Sequence, residues 1–335
     1  MRYLLSLVTL VVAFLLVPRP EAYRLRCTAD TNLSSYEGER DFNYGASARI
    51  RLKGIQMLGL FRFATDALKG KLVRSARLHL RYAGSERMLR VLGVSTIVAP
   101  WEEGDGTGTR RPGQACFHAA RLGQSAWGLD AADFAEVIFR PPNIWAYQDV
   151  RSEQDDWISI AVPNTAVQAT VAGLATGLVV TDEKGQTFAN NDVYSREQSG
   201  SEPFLAIEAE PAPPAIPPKV QAVEVEPLPE RATTTHVALK LRFLIPPGAL
   251  GVRAKLVTAD DGTPVRDLVL SIGRHGLQQV VLAGLPPARR LALSVWAVSP
   301  TGLAGPMRTI RVQTPQALPV PIRLAPARFL NSLKP

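Results

Sequence analysis

The chain is poor in the residues on which most catalytic chemistry depends. Of 335 residues only four are histidine and two are cysteine. His79, His118, His236 and His275 lie far apart in sequence, so no HExxH pair forms, and GxSxG is missing as well. Gly104-Asp105-Gly106-Thr107-Gly108 is glycine-rich, but no helical pattern follows it, so it reads as a turn and not as a phosphate cradle. Long apolar runs are also lacking. The longest, Leu4 to Val17, is interrupted by Ser6 and Thr9, and its 14 residues fall short of the ~20 that span a bilayer. No long amphipathic helix is present. Two cysteines allow one bridge at most. In an exported protein an even count favours pairing, so Cys27 is expected to bond to Cys116.

What is present begins with Arg2, a short apolar core, then Pro18-Arg19-Pro20-Glu21-Ala22. This is the pattern of a secretory signal peptide over residues 1–22. It implies a secreted or cell-surface protein with no stable membrane insertion once the signal is removed. The formal charge of +8 is unevenly spread. Residues 23–210 hold 21 Lys and Arg against 23 Asp and Glu, a net −2, whereas residues 211–335 hold 15 against 6, a net +9. Charge of this kind speaks to partners and solubility, not to fold. Its extracellular partners would be an anionic polysaccharide or cell-surface polymer, and no nucleic-acid motif is present.

Glu210-Pro211-Ala212-Pro213-Pro214-Ala215-Ile216-Pro217-Pro218 marks the clearest boundary, since proline lacks a ladder donor and cannot enter a sheet interior. Residues 23–209 are expected to form one domain, 210–218 a semi-rigid spacer, 219–315 a second domain and 316–335 a Pro-rich tail. Both domains read as β. Ala48 to Lys53 and Ala76 to Tyr82 alternate strictly, with one face buried and one wet. Met57 to Phe63 is more apolar, as in a central strand. Further strands are expected at 90–99, 156–162, 177–181 and 203–209, with a short helical turn over 165–172. The span 100–154, with Trp101, Trp127, Trp145 and Tyr147, is expected to be a long aromatic insertion without regular strands. The fold class is therefore all-β, with a jelly-roll-like β-sandwich followed by a smaller immunoglobulin-like sandwich.

Several short motifs occur in a recognisable order: Ala29-Asp30-Thr31, Asn43-Tyr44-Gly45, Phe61-Arg62-Phe63, Ala76-Arg77-Leu78-His79-Leu80, Pro100-Trp101-Glu102-Glu103-Gly104 and Ser195-Arg196-Glu197. Over residues 27–209 this set resembles the DNRLRE domain, a secreted bacterial β-sandwich, some members of which are carbohydrate-binding modules for alginate. Thr109-Arg110-Arg111-Pro112 keeps only the Arg-Pro of a segment common in that family. Residues 217–315 resemble a fibronectin type III module. There Leu291 stands where the family usually has a tyrosine, so that corner is expected to close by apolar packing alone.

Sugar binding needs aromatic platforms and planar hydrogen-bonding groups, and an acidic sugar adds a need for Arg. Trp101, Trp145, Tyr147, Tyr194 and Arg196 are the candidates. The competing readings are that Trp101 plugs the sandwich end and that Arg196 pairs internally with Glu197. The rows Arg49/Arg51/Lys53 and Arg77/His79/Arg81 would make a cationic face if their strands were neighbours. Glu102, Glu103 and Asp105 read as a solvated acidic loop in preference to a paired-carboxylate site. No cofactor is required. Asp30, Asn32 and Asp182, with Glu183 nearby, offer oxygens for a structural calcium ion. The resulting expectation is a noncatalytic module that attaches to acidic extracellular polysaccharide, the alternative being a structural or adhesive cell-surface protein without sugar specificity.

Overall fold

The computed structural model describes residues 20–128, 140–183 and 189–319, together with Phe134 and Ile138. The expected signal segment lies outside these apart from its last three residues, as does most of the Pro-rich tail. Glu21 and Ala22 already belong to the first strand, opposite Ala209 and Glu208.

Residues up to Pro211 build two antiparallel sheets that share one strand. β1 (Glu21–Ser34) pairs through Glu21–Arg26 with β13 (Phe204–Pro211), and through Cys27–Ser34 with β4 (Met57–Phe63). The register shifts between Cys27 and Ala29, where the strand passes from one sheet to the other. A bulge of this kind bends a strand at a sandwich corner. The first sheet continues from β13 to β5 (Lys71–Arg81), β10 (Trp157–Ala161) and β9 (Arg151–Ser152). The second continues from β4 to β11 (Gly177–Asp182), β6 (Val91–Ile97) and β8 (Trp145–Asp149). Alternation places Leu78, Leu80, Ile158, Ile160 and Ile207 of the first sheet against Phe61, Leu92, Val94 and Val180 of the second. Burying each such side chain stabilises the fold by roughly 1.5–3 kcal/mol. Ile50 and Leu52 of β3 (Arg49–Leu52) and Val193 of β12 (Asn191–Tyr194), a two-stranded ribbon, close one end of this core. The architecture is the jelly-roll-like sandwich that the alternating strands imply.

The residues after Ile97 add a third layer. Leu58, Leu60 and Val179 face outward from the second sheet, and Trp101, Phe117, Trp127, Phe134 and Ile138 cover them. The span 100–154 therefore departs from the sequence expectation in two ways. Its first part is a packed layer, and its last part contains β8, which carries Trp145 and Tyr147 at the sheet edge. The Trp145 ring lies across Gly93 of β6, where an added Cβ would stand 2.5 Å from the indole. A two-residue ribbon of β2 (Phe42–Asn43) with β7 (Thr109–Arg110) ties the layer to the strands before it. Asn43-Tyr44-Gly45 then anchors it. Asn43 Nδ2 donates to Glu103 O at 2.6 Å and to Ala115 O at 2.9 Å, while Asn43 Oδ1 accepts from the amides of Gly45 and Gly106 at 3.0 and 2.8 Å. Gly45 sits so close that a Cβ would lie 2.2 Å from Glu103 O.

From Val220 onward a second core forms between two further sheets. One is ordered β14 (Gln221–Leu228), β15 (Val237–Ile245), β18 (Gly276–Leu285). The other is ordered β17 (Pro264–Ile272), β16 (Gly251–Thr258), β19 (Arg290–Val298), β20 (Arg308–Gln313). This three-plus-four arrangement is that of a fibronectin type III sandwich. Leu291 is fully buried, as expected, but packing does not close its corner alone. The Thr314 hydroxyl donates to Pro286 O at 2.8 Å and accepts from the Arg289 amide at 2.8 Å.

The spacer between the sandwiches is not a free extended segment. Pro217 is buried, and its carbonyl lies against Gly305. The helix α1 (Asn164–Val171) and the turn after it contribute Ala169, Ala172, Leu174 and Ala175 to a core shared with Leu250, Ile272 and Val298 of the second sandwich. Gln168 fixes the junction. Its Oε1 accepts from the Val73 amide at 2.8 Å, and its Nε2 donates to Lys71 O at 3.1 Å and to Pro300 O at 2.7 Å.

Candidate functional site

The motifs that bracket the first sandwich meet at the corner where β1 changes sheets. Asp30 Oδ2 accepts from the Arg196 amide at 2.8 Å and from the Cys27 thiol at 3.6 Å. Arg196 grips Glu103 with two bonds, Nε to Oε1 and Nη2 to Oε2, both 2.6 Å, and its Nη2 is 3.3 Å from Glu197 Oε1. Glu103 Oε1 also accepts from the Asp30 amide at 2.6 Å. Ser195 Oγ donates to Glu197 Oε2 at 2.9 Å. One oxygen each from Asp30, Glu103 and Glu197 lies within 4.8 Å of the others. That spacing would suit a cation, and the Arg196 guanidinium supplies the positive charge beside Glu103 and Glu197.

Electrostatics follow from burial. Asp30 is 1% exposed. Desolvation pushes its carboxyl up to about 8; the Arg196 amide pulls it down, and Glu197 and Glu103 push it up again. The Cys27 thiol is raised well above its ordinary range, first by burial and then by Asp30. Arg196 is held firmly charged by its bonds to Glu103. The cluster is thus a closed clamp whose polar groups satisfy one another.

These positions correct several expectations. Arg196 is an internal clamp whose guanidinium is taken up by Glu103, so it is not poised to receive a ligand carboxylate. The calcium set does not assemble. Asn32 spends its amide on Arg51 and Leu58: Nδ2 donates to Arg51 O and Leu58 O at 2.9 Å each, and Oδ1 accepts from the Arg51 amide at 2.6 Å. Asp182 is buried beside Asn191, whose Nδ2 donates to it at 3.5 Å. Cys27 and Cys116 are both free and buried. They sit in different surroundings: Cys27 is in the main core beside Asp30, and Cys116 is in the outer layer, where its carbonyl accepts from Trp127 Nε1 at 2.8 Å. The Cys116 thiol is likewise raised by burial.

Nor do the aromatic candidates form one platform. Trp101 is 1% exposed and lies in the outer layer with the Arg62 guanidinium 4.6 Å from its ring. Trp145 and Tyr147 meet edge to face at 5.6 Å on β8, with Tyr147 exposed. Tyr194 is half-buried on β12 opposite Arg49. The basic rows are separated too, since β3 pairs with β12 and not with β5.

A cationic face exists elsewhere. On the outer side of the first sheet one cross-strand row runs Arg26, Phe204, His79, Ser159, Arg151, through consecutive pairings across five strands. The next row carries Arg24, Ala206, Arg77 and Ala161, and Arg81 stands opposite Trp157. Phe204 is flanked by the Arg24 guanidinium at 3.7 Å and by a parallel His79 ring at 4.4 Å, with Trp157 edge-on at 5.3 Å. Arg77 donates to Ser159 Oγ at 2.7 Å and Arg81 to Ser201 Oγ at 3.0 Å, which fixes their guanidinium groups. Glu153 pairs with His79 and Glu208 with Ser75. Arg24, Arg26, Arg77, Arg81 and Arg151 thus share this face with Glu153 and Glu208, and with the ion pair of Arg74 and Glu210. The sequence signal was the alternation Arg24-Leu25-Arg26, which lay against the expected signal boundary. Phe204 and Trp157 became visible as its neighbours only through strand order.

A separate cleft of about 330 Å³ opens beside the third layer, lined by Arg62, Phe63, Trp101, Glu102, Arg121, Gly177, Leu178 and Leu205 among others.

No family model matches the chain, and no curated protein matches it significantly. Similar solved structures include the fibronectin type III domain of the human collagen alpha-1(XX) chain, 23% identical, covering 32% of this chain and 92% of that one at a TM-score of 0.24. The FN5 domain of Drosophila Lar is 20% identical, covering 30% of this chain and 100% of its own, also at 0.24. The glycoside hydrolase domain of Endo-D from Streptococcus pneumoniae R6 is 9% identical, covering 88% of this chain and 37% of that one at 0.26. TM-scores this low add nothing to what the strand order shows: an all-β chain of two sandwiches, the second of the fibronectin type III kind.

Proposed function

We propose that this chain is a secreted, noncatalytic module that attaches to an acidic extracellular polysaccharide through the outer face of its first sheet. One observation carries the reading. A domain with a net charge of −2 over residues 23–210 gathers Arg24, Arg26, Arg77, Arg81 and Arg151 on a single face. Neighbouring strands are ~4.8 Å apart, so the row from Arg26 to Arg151 extends about 19 Å, enough to follow several units of an extended polyanion. Clustering charge against the sign of the whole domain creates a local field that concentrates anionic partners. The ordered motifs resembling the DNRLRE domain agree with this reading, although the residues that resemblance emphasises, above all Arg196, serve the clamp.

Retention in affinity gels containing alginate, pectin or a sulfated glycan tests it, with a neutral glucan as control. Wild type should be retarded by the acidic polymers and released by salt, since exposed charge pairs are screened within ~10 Å at 0.1 M. The double variant Arg26→Glu, Arg151→Glu should lose most of that retardation. Equal retention of variant and wild type, or no retention by any acidic polymer, would remove the proposal.

The alternative, a structural or adhesive surface protein, draws on the junction made by Gln168 and the shared apolar core. Two sandwiches docked in this way suit a stiff spacer. Self-association or capture of a protein partner, in the absence of glycan retention, would favour it.

A further inference from the structure

A second cleft, of about 440 Å³, lies on the outer face of the second sheet and is lined by Val91, Tyr147, Gln148, Asp149 and Glu183. Its volume falls within the range of small-molecule sites. Strand register puts its walls in order. Tyr147 and Asp149 are two residues apart on β8 and both exposed, so they share the outward face. Tyr147 stands opposite Gly93 of β6, and Asp149 opposite Val91. On the other side of Val91, the Glu183 amide donates to Val91 O at 3.4 Å. Thr181 of β11, opposite Gly93, donates its hydroxyl to Glu183 Oε1 at 2.7 Å, which holds that carboxylate on the same face. The third layer covers Leu58, Leu60 and Val179 but leaves this end of the sheet open, with Tyr147 58% exposed.

The chemistry of the walls is one-sided. Asp149 and Glu183 are acidic, no basic side chain lines the space, and neither carboxylate enters an ion pair among the described residues. Tyr147 offers an aromatic face that a cation can approach. Its ring is braced, because the Trp145 indole meets it edge to face at 5.6 Å. That indole is itself seated over Gly93, where a Cβ would stand 2.5 Å from Trp145 and 2.6 Å from Thr181 Oγ1. Asp149 and Glu183 flank the single residue Val91, so their backbones are two strand spacings apart, ~9.6 Å. An ammonium bonded to one carboxylate lies only ~3 Å from it. The spacing therefore suits two ammonium groups at the ends of a short alkyl chain better than one ammonium shared between the carboxylates, and Val91 gives that chain an apolar floor.

We propose that this cleft binds short alkyl diammonium cations, with one ammonium at Asp149 against the Tyr147 ring, the other at Glu183 and the alkyl chain over Val91. The site belongs to the second sheet, is separate from the cationic face of the first and does not depend on polysaccharide binding.

Putrescine serves as the probe, with n-butylamine as its singly charged counterpart and butanediol as its uncharged one. The readouts are the Trp145 indole and Gly93 amide resonances in an assigned ¹H–¹⁵N spectrum of the full chain. Putrescine should shift both in a saturable way at millimolar concentration. n-Butylamine should bind ~3–5-fold more weakly, the worth of one exposed charge pair, and butanediol should leave both resonances in place. Asp149→Asn and Glu183→Gln should each weaken putrescine by the same ~3–5-fold, and Tyr147→Ala by a similar factor, whereas Arg26→Glu should leave its binding unchanged. Resonances unmoved by putrescine up to tens of millimolar overturn the proposal, and so does n-butylamine or butanediol acting as strongly as putrescine. The wild-type comparison of the three probes decides the matter even if a variant fails to fold.

Discussion

Replacing Asp30 with asparagine should stabilise the protein, and the gain should grow with pH. The folded chain holds the Asp30 carboxyl at about 8, against an ordinary 3.8. Between those values the folded chain keeps a proton that the unfolded chain has released. Wild-type stability therefore falls as pH rises through the window and levels off above about 8. At ~1.4 kcal/mol for each pH unit, the full span sets a ceiling of roughly 6 kcal/mol. The amide in the Asp30→Asn variant has no carboxyl proton to lose, and its carbonyl oxygen can still accept the Arg196 amide, now bonded at 2.8 Å. Titrations shared by both proteins cancel in the difference. Urea unfolding of wild type and Asp30→Asn from about pH 5 to about pH 9 should show a difference that rises in favour of the variant at up to ~1.4 kcal/mol per pH unit, then flattens. A difference that stays constant with pH would refute the reasoning, because it would mean that Asp30 is ionised throughout and compensated by Arg196.

Arg196→Lys should lose about 1–3 kcal/mol, because an ammonium cannot reproduce the two-bond grip on Glu103; thermal unfolding matching wild type would contradict this. Asn43→Ala removes a side chain that makes four hydrogen bonds and should speed hydrogen exchange and proteolysis around 103–115 well before global unfolding. Thiol titration should find essentially no reactive cysteine in the native protein and both in denaturant without reductant, whereas none in denaturant would reveal a bridge. Gln168→Ala should loosen the junction and separate one unfolding transition into two, as read by calorimetry.

Much of the fold was legible because period-two alternation reports directly on which face is buried. Ile50 and Leu52 of β3, and Ala76, Leu78 and Leu80 of β5, face inward as their alternation implied. β8 escaped detection since its five residues, Trp145–Asp149, sit on a sheet edge and are only partly buried, which leaves little alternation to read. The third layer was equally hidden, because packing by irregular chain has no period. The site was far less legible. Arg196 and Glu197 were visible as a motif, but their partners Glu103 and Asp30 are 93 and 166 residues away from Arg196. The cationic face depends on β1, β13, β5, β10 and β9 lying side by side, and that order is a property of topology alone. Thr314 likewise takes over a tyrosine's bonding from a different strand end, a substitution that inspection of position 291 cannot reveal.

The strand that belongs to two sheets also sets a timetable for folding. Glu21–Arg26 have no strand partner until Phe204–Ala209 exist, so a growing chain cannot complete the first sandwich before nearly two-thirds of it has been made. Pairings this distant in sequence form slowly, after the loop between them has been closed. Until then Glu21–Arg26 lack the strand they pair with in the folded domain. The same late pairing brings Arg24 and Arg26 beside Phe204, so the cationic face comes into being only with the final closure of the domain.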